Sequence, residues 1–133
     1  MKKDIPENKV KGVYVAAIKP TAIDSEPWEI HIVNDNEHPI EMVLINSKGF
    51  GEVDGEQKET STLRHMIEHI EAKSSALIEP ITPDLFHLTN RYWITYYIGR
   101  AIYDKKFLFL PHTISESHFT TVPVLDQQGV MHA

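Results

Sequence analysis

Apolar and polar residues alternate with a period of two along much of this chain, most clearly over residues 91–111. Two runs rich in aromatic and β-branched residues, 92–98 and 101–110, flank Gly99-Arg100, a Gly-X pair suited to a two-residue type II′ turn. That turn sets Ile98 opposite Ala101, Tyr96 opposite Tyr103, Ile94 opposite Lys105 and Tyr92 opposite Phe107. One face of the hairpin then gathers Tyr92, Ile94, Tyr96, Ile98, Tyr103, Phe107 and Phe109. An apolar surface of this size needs a second layer against it. The opposite face carries Trp93, Tyr97, Ile102, Leu108 and Leu110 beside Thr95, Asp104 and Lys106. A sheet that is partly apolar on both sides is covered on both, by its own loops or by another chain.

The rest of the chain reads in the same way. Residues 10–19 form a first expected strand, stopped by Pro20. In 28–33, Trp28, Ile30 and Ile32 share one face, and after the turn cluster 34–39 the residues Ile40, Met42 and Leu44 do the same, which predicts a second hairpin. Asp54-Gly55 is a type I′ hairpin signal returning an extended 49–53 through 56–60. Residues 75–81 and 119–125 are further expected strands, Thr82-Pro83 an expected N-cap and first helical position, and Thr113 to Glu116 a capping-box spacing. Leu63, Met66, Ile67 and Ile70 stand at i, i+3, i+4 and i+7, which predicts a short helix over 62–70. Residues 1–9 are expected to be a disordered lead, 10–125 one domain, and 126–133 a flexible tail. The expected fold is mainly β: an antiparallel β-sandwich, with an immunoglobulin-like arrangement as one option, carrying one to three short helical turns.

Composition narrows the chemistry. With 133 residues and no cysteine, the chain can bury a single core but holds neither disulfides nor thiolate chemistry. No apolar run approaches a membrane span or follows the basic start of the chain, so no membrane partner and a cytoplasmic location are expected. A formal charge of −6 argues against nucleic acid as a partner. No phosphate-binding loop, nucleophile elbow or dinucleotide fingerprint occurs, and no cofactor is implied.

Histidine is over-represented, with eight copies, and His65-Met66-Ile67-Glu68-His69 matches the H-x-x-E-H pattern of inverted zinc peptidases. Two histidines at i and i+4 on a helix can share a metal, with the glutamate activating bound water. On that helix His65 and His69 fall almost opposite the apolar arc, facing water, with no third ligand evident downstream. They are weak metal candidates, and an incidental pair is the favoured reading.

At Ser61-Thr62-Leu63-Arg64-His65, Lys73-Ser74, Ile78-Glu79-Pro80 and Tyr103-Asp104-Lys105-Lys106-Phe107 the chain resembles a group of short uncharacterised bacterial proteins, some labelled phenylalanyl-tRNA synthetase subunit. The resemblance implies, at this length, an accessory domain linked to tRNA aminoacylation, and it carries over no functional residue. From the residues themselves the leading expectation is a non-enzymatic binding or assembly module, a homodimer or a docking partner for another protein. Its interface would be Trp93, Tyr97, Ile102, Leu108 and Leu110, with no catalytic residue assigned. The alternatives are a small metal-dependent hydrolase built on His65, Glu68 and His69, and the aminoacylation accessory.

Overall fold

The computed structural model describes residues 8–132. Ten strands follow one another: β1 (Val13–Ile18), β2 (Trp28–Asn34), β3 (Ile40–Val53), β4 (Glu56–Glu59), β5 (Leu63–Ile70), β6 (Ser74–Ile81), β7 (Thr89–Ile98), β8 (Ala101–Phe109), β9 (Thr120–Val122) and β10 (Gln127–His132). They make two antiparallel sheets, one ordered β6-β2-β1-β10-β9 and the other β4-β3-β7-β8, with β5 pairing β3 beyond β4. Helical structure among the described residues is limited to two 3-10 turns, Pro83–Leu85 and Glu116–His118. The first begins with proline as expected, but Thr82 makes no side-chain cap. The second is entered from Ser115, while Thr113 Oγ1 donates to the Leu110 carbonyl instead of opening a capping box.

The hairpin at 92–110 takes its expected register, with Tyr96 opposite Tyr103 and Tyr92 opposite Phe107. Gly99 alone of the turn pair has positive φ, as a type II′ turn requires. Asp54 and Gly55 both have positive φ, the type I′ signature. One buried cluster draws on both sheets: Val13, Val15, Trp28, Ile30 and Ile32 from the first, and Val43, Ile45, Tyr92, Ile94, Tyr96, Phe107 and Phe109 from the second. A smaller cluster of Ala16, Ile18, Val33 and Val122 lies on the other side of the first sheet, where Val124 and Leu125 of the β9–β10 turn pack against it. The outer side of the first sheet is therefore covered by its own chain around Ala16, Ile18 and Val33, while Leu77 on its edge strand β6 stays exposed.

Several expectations are corrected. The segment 62–70 is a strand, β5, and not a helix. Seven residue pairs with β3, from Ile40↔Ile70 to Ser47↔Leu63, supply ladder hydrogen bonds that an isolated eight-residue helix would have to replace alone. In the strand, Leu63 and Met66 are exposed and only Ile70 is buried, so the apparent helical arc is not a packing face. The expected tail is also a strand: β10 inserts between β1 and β9, burying Gly129 and Val130. Strands β2 and β3 do not form a hairpin, since β2 pairs with β1 and β6. Residues 35–39 instead carry the chain from one sheet to the other. Asn34, fully buried, fixes this crossover by donating to the carbonyls of His38, Ile70 and Glu71. Ile40, Met42 and Leu44 do not share a face either. Met42 has φ 47° at a register shift against β7, so Ile40 is buried while Met42 and Leu44 are exposed. Of the expected lead 1–9, residues 1–7 lie outside the described residues, as does Ala133. Asn8 is held by a hydrogen bond to the Ile102 carbonyl.

Candidate functional site

Two places gather side chains that a folded core does not explain. The first is the outer face of the second sheet, where strand alternation directs every other residue of β3, β5, β7 and β8 away from the core. Leu44 stands between Met66 and Thr95, and Asn46 between Arg64 and Trp93, while Trp93 pairs with Lys106 and Tyr97 with Ile102. Leu44, Met66, Trp93, Tyr97 and Ile102 are all exposed. Of the expected interface residues, Trp93, Tyr97, Ile102 and Leu110 are exposed and Leu108 is half-buried, with Leu110 just past the end of β8. The sequence reading missed Met66 and Arg64 because reading 62–70 as a helix removed the strand that brings them to this face, and it missed Leu44 because alternation from Ile40 takes no account of the phase change at Met42.

Trp93 is held in place by its neighbours. Its indole N–H donates to Asp104 Oδ1 at 2.8 Å, and the Thr95 hydroxyl donates to the same oxygen at 2.6 Å. The Lys106 ammonium lies 4.4 Å and the Arg91 guanidinium 5.6 Å from the indole centre, both within cation–π range. Beside it Leu44, Asn46, Arg64, His65, Trp93 and Thr95 line a hollow of about 260 Å³. A rigid aromatic ring flanked by cations and apolar side chains can anchor another molecule's surface. It offers no nucleophile aligned with a base.

The second place is the gap where the edge strand β6 of the first sheet meets the edge strand β5 of the second. A register shift opposite Ile30/His31 leaves Ile78 as an extra residue in β6 and brings Glu79 opposite Ile30, on the inward row. Its side chain is only 12% exposed. Three donors converge on the carboxylate: Ser47 Oγ and His65 Nε2 on Oε1, each at 2.8 Å, and the Tyr92 hydroxyl on Oε2 at 3.1 Å. Burial, together with the neighbouring carboxylate, pushes the Tyr92 phenol well above its ordinary value, so it remains a donor. The carboxylate sits in the middle of this set. Ser47 and His65 both donate to Glu79 and not to each other, so the serine is not poised for deprotonation by the imidazole. The sequence reading placed Tyr92 on the inward face as a core residue and assigned no role to Glu79 or Ser47; a glutamate between Ile78 and Ile81 in an apolar strand was the available signal.

The H-x-x-E-H residues have separate surroundings and partners. On a strand, four residues span about 13 Å, so His65 and His69 lack the helical geometry that would let them share one ion. His65 turns toward Glu79, half-buried, contrary to the expected solvent-facing position. His69 is exposed between Glu41 and Glu71, and its hydrogen bonds to them, Glu41 first, hold its pKa above the ordinary 6.5. Glu68 is exposed. Among the described residues no three His, Cys, Asp or Glu side chains are clustered for metal binding, and no helix is long and apolar enough to cross a membrane. Compared with known proteins, the chain matches no family model and no curated protein.

Proposed function

We propose that this protein is a non-enzymatic binding and assembly module, its two sheets stacked as a β-sandwich, that pairs with a second copy of itself through the outer face of the second sheet. The observation that carries this reading is an asymmetry. On the first sheet's outer side Val124 and Leu125 pack against buried Ala16, Ile18, Val33 and Val122, and Leu77 is the one large apolar side chain of that sheet left exposed among the described residues, whereas the second sheet leaves Leu44, Met66, Trp93, Tyr97 and Ile102 exposed together. Exposed apolar residues clustered on one face mark contact surfaces in soluble proteins. The same face carries Arg64, Arg91 and Lys106 as well as Asp104 and Glu68, so it holds both signs and can complement itself across a two-fold axis.

Trp93, fixed by Asp104 and overlaid by two cations, serves as the central anchor. Sedimentation velocity of the full chain and of Trp93→Glu tests the reading. The wild type should sediment as a dimer and the variant as a folded monomer. A monomeric wild type, or a variant dimer as tight as the parent, contradicts it.

A further inference from the structure

The gap between β5 and β6 has features that neither a packed core nor the dimer face requires. A carboxylate on the inward row of a strand is costly unless it is fully paired, and a buried anion ordinarily takes a cation as its partner. Glu79 has no lysine or arginine on it: its partners are Ser47, the Tyr92 hydroxyl and His65, whose imidazole pairs with it as a cation only when protonated. Lys48, the one cation lining the same cleft among the described residues, is engaged with Glu59 at 3.2 Å. The cleft beside Glu79 measures about 270 Å³, room for a molecule of several non-hydrogen atoms. Pro27, Leu63, Pro80 and Leu85 give it apolar walls, and Thr60, Ser61 and Asn90 add polar atoms.

The geometry of the carboxylate selects the ligand. An ionised carboxylate offers about four lone-pair positions, two on each oxygen. Oε1 already accepts from Ser47 and His65, and Oε2 accepts from Tyr92. One position remains, on Oε2. A guanidinium binds best through two parallel N–H groups, one to each oxygen, and finds only half of that arrangement here. An alkylammonium needs a single acceptor on the carboxylate, can turn its other N–H groups to neighbouring hydroxyls, and lays its hydrocarbon against apolar walls.

We infer that the cleft at Glu79 binds a primary alkylammonium group, with the carboxylate Oε2 as its anchor and the Leu63, Pro80 and Leu85 walls holding the chain. That group can come from a free amine or from a lysine side chain. Chemical-shift titration of the isotope-labelled full chain near neutral pH, with n-butylammonium, n-butylguanidinium, n-butanol and a lysine blocked at both ends, tests it. Butylammonium should give saturable shifts at Ser61, Leu63, Glu79 and Thr82. Butylguanidinium should bind about tenfold more weakly, and butanol should give no saturable shift.

Glu79→Gln should retain the fold fingerprint and lose ammonium binding. If that variant does not fold, Leu63→Trp, at an exposed position in the cleft lining, should narrow the cleft and weaken butylammonium by about tenfold with the carboxylate intact. Tighter binding of blocked lysine supports a protein side chain as the source, and tighter binding of butylammonium supports a free amine. No saturable shift with either, guanidinium binding as tightly as ammonium, or full binding by a folded Glu79→Gln protein would overturn the inference. A purely structural role for Glu79 would change stability in the variant without producing any amine binding in the parent.

Discussion

Two tyrosines on one strand should respond to the same substitution with opposite signs. Tyr92 and Tyr96 lie four residues apart on β7, both pointing into the shared core and each 1% exposed. Replacing either by Phe removes one hydroxyl and keeps the ring. At Tyr92 the lost group is a donor to the Glu79 carboxylate at 3.1 Å. A hydrogen bond to a charged acceptor contributes about 1.5–3 kcal/mol, and the long distance places this one near 1.5. At Tyr96 the hydroxyl is buried with no hydrogen-bond partner among the described residues, while its ring stacks on Tyr103 at 5.2 Å. An unsatisfied buried hydroxyl costs about 1–3 kcal/mol, so its removal should stabilise by roughly 1.

The two variants should therefore differ by about 2.5 kcal/mol, read as urea midpoints at unchanged slope. Tyr96→Ala, which removes the ring as well, should cost about 3 kcal/mol. A Tyr96→Phe protein less stable than wild type by 1 kcal/mol or more, or both Phe variants shifting in the same direction, would refute the assignment of which hydroxyl is paired.

Other expectations follow from the same packing. Gly129→Ala should destabilise by about 1–3 kcal/mol, because its methyl would come within 2.6 Å of Ile18 Cδ1 and 2.9 Å of the Ala17 carbonyl oxygen; an unchanged melting curve would mean that β10 is a loose tail after all. The His69 imidazole should titrate above 6.5 by NMR, and Glu41→Gln should lower that midpoint. Because its folded pKa is raised, its contribution to stability is complete below 6.5 and fades as pH rises through the folded value. Tyr92 and Tyr96 are both raised, Tyr96 by burial to about 12, with Tyr103 adding to it. Unfolded tyrosine ionises near 10, so stability should begin to fall above about pH 10 and continue falling toward 12. A flat alkaline profile would contradict the burial of these phenols.

The parts of the fold legible in the sequence are those fixed by local turn chemistry. Gly99-Arg100 and Asp54-Gly55 each permit few turn types, and each turn sets the register of the strands beside it. The outward position of Trp93, Tyr97 and Ile102 follows from that register alone. What was not legible depends on partners distant in sequence. Leu63 to Ile70 fits a helix by spacing and becomes a strand because β3 offers it an open edge. Gln127-Gln128-Gly129 reads as a polar tail, yet β1 and β9 pair with it on either side. The inward turn of Glu79 depends on the extra residue at Ile78, and the phase change after Ile40 on the left-handed backbone of Met42. Alternation alone reveals neither.

Pairing through the second sheet's outer face is tested most directly by hydroxyl-radical footprinting of the full chain at concentrations well below and well above the association midpoint. Trp93, Tyr97 and Met66 should be oxidised readily in dilute solution and become protected together as the concentration rises. Leu77, exposed on the first sheet, should react equally at both. Uniform reactivity of Trp93, Tyr97 and Met66 at every concentration, or protection of Leu77 instead, would contradict the account.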